Sequence, residues 1–159
     1  MSKSVNIIIE TPRGSTQKYA LDKKTGLFKL KKIMPTGMIF PFDFGFIPET
    51  IGEDGDPLDA MIISEFASFP GCIIECRSIG VLEAEQKSKK EKVRNDRYFF
   101  IPKLSKQFEH IESLNDIPKN QLKEIEEFFI QYNKIDGKEF HILGIESPKS
   151  AIKLLNKNE

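Results

Sequence analysis

The spacing of apolar residues changes character about two-thirds of the way along this 159-residue chain. Before that point they come in short alternating or continuous runs, at residues 5–10, 18–21, 27–31, 60–64, 72–83 and 98–101, rich in Ile, Val and Phe. A period of two sends successive side chains to opposite faces of a pleated strand, so each run predicts a strand. Gly and Pro interrupt the runs at Pro12-Arg13-Gly14, Lys24-Thr25-Gly26, Pro35-Thr36-Gly37 and Pro70-Gly71, which predicts turns between them. Short strands punctuated in this way predict an antiparallel barrel or sandwich.

The last third has the period of a helix. Asp116-Ile117-Pro118 predicts a helix start, with a capping carboxylate and a proline in the first turn. Leu122, Ile125, Phe128, Phe129 and Tyr132 then recur at helical spacing up to a stop at Gly137. Residues 140–143 predict a further strand, and Ser147-Pro148 opens a final helix carrying Ala151, Ile152, Leu154 and Leu155. No repeat or linker divides the chain, so one domain over residues 1–159 is expected.

Composition narrows the function. No apolar run approaches the 18 or so residues that span a bilayer, and the first residues carry no charged stretch followed by an apolar one. A cytoplasmic protein without membrane contact is expected. The 24 basic and 24 acidic residues cancel, which gives no general attraction to nucleic acid, so any anion site must be local. Cys72 and Cys76 lie four residues apart in a predicted strand, about 13 Å at strand rise, too far for a disulfide. They are expected as buried thiols on one face, and His110 and His141, isolated in sequence, as surface or structural residues. The polar stretch at residues 83–92 reads as a solvated hairpin tip or as a lysine-lined rim.

The densest chemistry is Asp54-Gly55-Asp56-Pro57-Leu58-Asp59. Three carboxylates within six residues repel one another unless a cation sits among them, and hard oxygen donors suit Mg²⁺, Mn²⁺ or Ca²⁺. An EF-hand would place glycine where Asp59 stands and would need helices on both flanks, so it is excluded.

These residues resemble the signature D-G-D-P-[LV]-D of soluble inorganic pyrophosphatases in six of six positions. Similar stretches run in family order around it: Glu10-Thr11-Pro12, Lys18-Tyr19, Met34-Pro35-Thr36-Gly37, Phe44-Gly45-Phe46, Gly80-Val81-Leu82, Leu114-Asn115-Asp116-Ile117-Pro118 and Phe128-Phe129. The resemblance implies a mainly β fold, a five-stranded OB-like antiparallel barrel flanked by C-terminal helices. It implies metal-dependent hydrolysis of pyrophosphate to two phosphates, with Mg²⁺ as cofactor and Mn²⁺ as the second candidate, and a homo-oligomer, a hexamer in bacterial-length members. Asp54 and Asp59 resemble the metal ligands, Asp56 the base that takes a proton from the attacking water, and Glu10 the acid at the edge of the site. Lys18, Lys32, Arg97 and Tyr132 resemble the groups that bind phosphate.

Several positions depart from the pattern the resemblance implies. Ala20 stands for a glutamate, Lys32 for an arginine, Phe40 and Phe44 for tyrosines, Asn95 and Gln86 (or Glu85) for aspartates, and Arg97 and Asn133 for lysines. Asp96 could make good the loss at Asn95 only across a bulge. Ala20, Gln86 and Asn95 together remove about three negative charges from the metal side, so slowed hydrolysis is expected. The alternative is a catalytically degenerate paralogue that binds a phosphorylated ligand or partner. A nucleic-acid module on an OB-like barrel is the third reading, set back by the lack of a basic excess.

Overall fold

The computed structural model describes residues 3–159. In chain order the elements are β1 (Ser4–Thr11), β2 (Gln17–Asp22), β3 (Leu27–Ile33), β4 (Asp43–Phe46), β5 (Asp59–Ile62), β6 (Ile73–Lys87), β7 (Lys92–Arg94) and β8 (Arg97–Pro102). A 3₁₀ turn (Leu114–Asp116), α1 (Lys119–Ile135), β9 (Glu139–Glu146) and α2 (Pro148–Lys157) follow.

Five strands close on themselves in the order β1-β4-β5-β8-β6, with β6 returning to pair β1. Four of the five pairings are antiparallel and one, β5 with β8, is parallel. This is the five-stranded OB-like barrel with C-terminal helices that was expected, except that an odd ring cannot alternate direction all the way round. The parallel pair is the necessary exception. β6 is long enough, at 15 residues, to leave the ring and carry β7 and β9 on its far end. β2 and β3 form a separate hairpin over β1.

Alternation along the ring strands feeds two cores. Val5, Ile7 and Ile9 of β1, Ala60 and Ile62 of β5, and Tyr98 and Phe100 of β8 meet inside the ring, where Ala151 and Leu155 of α2 close one end. The intervening residues, Met61, Phe99 and Ile101, point outward against Ile125, Phe128, Phe129 and Tyr132 of α1. β8 is therefore buried on both faces, which explains why Tyr98-Phe99-Phe100-Ile101 reads as a continuous apolar run.

Several elements differ from the sequence expectation. β4 was not anticipated, because Asp43 breaks an otherwise apolar run; its carboxylate is buried and accepts the amides of Arg13 (2.8 Å) and Ser68. β7 is only three residues long, too short to show a period. Asp116 does cap, but for the 3₁₀ turn: its Oδ2 accepts the amides of Glu112 and Ser113, while Pro118 precedes α1. Cys72 lies in the turn before β6 and is only half-buried; Cys76 alone is a core thiol, pushed up in pKa by burial. His110 and His141 are exposed, as expected.

Two predictions follow from this packing. A Cβ on Gly45 would lie 2.0 Å from the carbonyl oxygen of Ile8 on the paired strand, so Gly45→Ala should destabilise by about 3 kcal/mol, measured by denaturant unfolding. Glu65 accepts from the Ser105 hydroxyl and the amides of Lys106 and Gln107, which hold its carboxyl at about 2 instead of the ordinary 4.5. Its contribution is complete above the ordinary value and fades as pH falls toward 2. Glu65→Gln should therefore melt below the parent at pH 7, with the gap closing between pH 4.5 and 2.

Candidate active site

The acidic loop is built as a fixed turn. Its base is the buried Thr50, whose hydroxyl donates to Ile47 O (2.7 Å) and accepts the Leu58 amide (3.0 Å). Gly52 N donates to Asp56 O (2.8 Å) and closes the loop, with Gly55 at φ 87°, a conformation a side chain would resist. Asp54 Oδ1 accepts the Asp56 amide (3.0 Å). Two outside groups hold the loop in place: Glu53 Oε1 accepts the Arg94 amide (3.0 Å), and Ile51 N donates to Asn158 O (2.8 Å).

Asp56 and Asp59 face a cleft of about 200 Å³ that also receives Glu10, Lys18 and Ala20. Glu10 comes from β1 and accepts the Leu21 amide (3.0 Å). Burial raises the Glu10 carboxyl, the Leu21 amide and Lys18 oppose that rise, and Asp59 and Asp56 add to it. Lys23 and Lys31 line the same cleft, and neither was singled out from the sequence. Lys31 is brought there by the bulge that shifts the β2–β3 register beside Lys18 and Tyr19. The doublet Lys31-Lys32, which breaks the alternation of β3, was the available signal.

Asp54 does not join this cleft. It opens on a neighbouring recess with Gln86, Ser88, Glu91 and Lys138, and Asp56 stands between the two. The three aspartates still act on one another: burial raises the Asp54 carboxyl, and the charges of Asp59 and Asp56 add to that rise. The 83–92 stretch forms the hairpin joining β6 to β7, and it lines this recess through Gln86, Ser88 and Glu91, not through the lysines expected of a rim.

Arg97 is not in the open cleft. The parallel register sets Asp59 of β5 beside Arg97 of β8, and Arg97 Nη1 donates to Asp59 Oδ2 (2.8 Å), Asn95 Oδ1 (2.6 Å) and Asn95 O (3.0 Å). Only 2% of Arg97 is exposed, and its guanidinium lies 5.1 Å from the ring centroids of both Phe129 and Phe140. The expected direct grip on phosphate is replaced by a grip on a carboxylate. Asp96 is likewise committed elsewhere, to Arg94 and the Ala84 amide.

The aromatic departures belong to the outer core. Phe40 and Phe44 are buried and pack with Phe128, Phe129 and Tyr132. Lys18 Nζ also stands 5.8 Å from the Phe44 ring centroid. Lys18 and Lys32 approach the Tyr132 ring at 5.2 and 4.7 Å, and Lys32 also pairs with Asp136 (2.7 Å). The Tyr132 hydroxyl is buried without a hydrogen-bond partner, and burial pushes the phenol up.

Among the described residues, no three Asp, Glu, His or Cys side chains form a ready-made coordination shell. The donor chemistry nonetheless fits a hard divalent cation, because Glu10, Asp56 and Asp59 bring carboxylates to one cleft. A cation such as Mg²⁺ takes one or two carboxylates and fills its remaining positions with water and phosphate oxygens.

Known proteins resemble this chain in sequence and in fold. The family model described as Inorganic pyrophosphatase matches residues 7–159. The inorganic pyrophosphatase of Synechocystis is 35% identical over 96% of this chain and 88% of its own, and that of Geobacillus stearothermophilus is 35% identical over 98% and 92%. Among solved structures, the inorganic pyrophosphatase of Thermus thermophilus superposes with a TM-score of 0.87 at 33% identity, over 96% of this chain and 87% of that one. That of Coxiella burnetii gives 0.88 at 31%, over 98% and 93%. With the match spanning the acidic loop, the barrel and both helices, the chain belongs to the inorganic pyrophosphatase family.

Proposed function

We propose that the chain hydrolyses inorganic pyrophosphate to two phosphates, acting as one domain over residues 1–159, with Mg²⁺ as cofactor and Mn²⁺ as the alternative. The observation that carries this reading is the cleft in which the carboxylates of Glu10, Asp56 and Asp59 face Lys18, in a chain of this family. Acid on one wall and base on the other suit a metal–polyanion complex better than either charge alone.

A bound divalent ion neutralises substrate charge and makes water a readier nucleophile. Asp59 and Glu10 would hold that ion, with Asp54 adding negative charge from the neighbouring recess. Asp56, at the shared edge of the two hollows, accepts the proton of the attacking water. Lys18 anchors phosphate in the cleft, with Lys32 and Tyr132 behind it. Arg97 acts on the substrate only through Asp59, which it orients. The missing carboxylates at Ala20, Gln86 and Asn95 slow turnover, and no contact in the structure favours a binding-only paralogue over an enzyme. No helix among the described residues is long and apolar enough to cross a membrane. A homo-oligomer, a hexamer in bacterial-length members, is carried here by the family resemblance alone.

Phosphate release from magnesium pyrophosphate should be measurable and should fall by a factor of about 10² or more in Asp56→Asn. Purified protein that released no phosphate with Mg²⁺, Mn²⁺ or Zn²⁺ would overturn the reading. Tyr132→Phe should be at least as stable as the parent in urea, since it deletes a buried hydroxyl that makes no hydrogen bond, while raising KM for pyrophosphate. A loss of stability in that variant would show that the hydroxyl is bonded.

A further inference from the structure

Behind the cleft, three amides form one hydrogen-bonded chain. Asn133 Nδ2 donates to Phe129 O (2.8 Å), which leaves Asn133 Oδ1 to accept from Gln86 Nε2. Gln86 Oε1 then accepts from Asn95 Nδ2, and Asn95 Oδ1 accepts from Arg97 Nη1 (2.6 Å). The helix carbonyl at one end thus fixes the direction of every amide and presents an acceptor to the guanidinium at the other. All six polar atoms of these side chains are engaged, and none carries a charge. Arg97 is left with Asp59 as its ion-pair partner among the described residues.

The arrangement places a covalently attached cation where the cleft would otherwise offer a free carboxylate oxygen. Arg97 is buried, wedged between two aromatic rings, and tied to Asn95 by two hydrogen bonds, so it cannot swing aside cheaply. A divalent ion on Asp59 Oδ2 would stand against that guanidinium, with the neutral, already bonded amides of Asn95 and Gln86 behind it, while Asp54 and Glu91 face the recess beside Gln86. Asp59 Oδ1 accepts no hydrogen bond among the described residues, and Asp59 lines the cleft with Glu10 and Asp56.

We propose that Arg97 is a fixed cation that occupies one oxygen of Asp59 and limits this centre to a single divalent ion, and that Asn133, Gln86 and Asn95 are positioning residues that keep it there. The proposal rests on the reading of the cleft as a divalent-metal site, and its test separates the two. Mn²⁺ is titrated into the full chain without substrate, with stoichiometry read by calorimetry and ion–ion coupling by electron paramagnetic resonance. The unaltered chain should saturate at one Mn²⁺ with the spectrum of an isolated ion. Asn95→Asp, which keeps the shape but adds a charge beside the guanidinium, should draw Arg97 from Asp59. It should then admit a second, spin-coupled Mn²⁺ or tighten the first by about tenfold. Gln86→Glu, one step along the chain, carries the same expectation and serves if Asn95→Asp does not fold. Two or more ions in the unaltered chain would overturn the inference alone, as would folded variants that still bind one ion with unchanged affinity. No bound ion at all would overturn the metal reading with it.

Discussion

The pairing of Asp59 with Arg97 organises both the fold and the site, and it follows from counting strands. A ring of five must contain one parallel pair, and here that pair is β5 with β8. In-register parallel neighbours carry their side chains to the same face, so the last residue of the acidic loop and the first residue of β8 are set side by side. Burying an arginine is costly without a partner. The carboxylate of Asp59 supplies one, the Asn95 oxygens a second, and the flanking aromatic rings exclude water. Ring closure and the chemistry at the loop are in this sense one constraint.

Much of the architecture was legible in the sequence because alternation and helical period survive wherever one face is buried. The runs at β1, β2, β3, β5 and β8, the period of α1 and the serine start of α2 all appear at or near their expected places. β4 was hidden by Asp43, a buried carboxylate satisfied by backbone amides from two other segments, which no local pattern reveals. The parallel pair was hidden because alternation is silent about strand direction.

The candidate site was legible as a set of residues but not as a geometry. Asp56, Asp59, Glu10 and Lys18 share a cleft, while Asp54 looks into the next one and Arg97 turns away from both. The substituted positions were visible singly as lost charges. Only the fold shows that Gln86, Asn95 and Asn133 are mutual partners, because they come from β6, the break before β8, and α1. The phenylalanines at 40 and 44 make the matching point on the other wall. Both rings are packed into the outer core with residues of α1.

The acidic loop hangs from two points that are distant in sequence, the end of β7 at Arg94 and the backbone of Asn158 just beyond α2. The second tether makes the far terminus a strut for the reaction centre. A helix that plugs the barrel with Ala151 and Leu155 also sets the height of the turn bearing Asp54 and Asp56. Loosening that plug, by heat or by a bulky appendage, would let the turn sag before the barrel itself gives way, so the catalytic groups would lose their aim while the protein still looked folded.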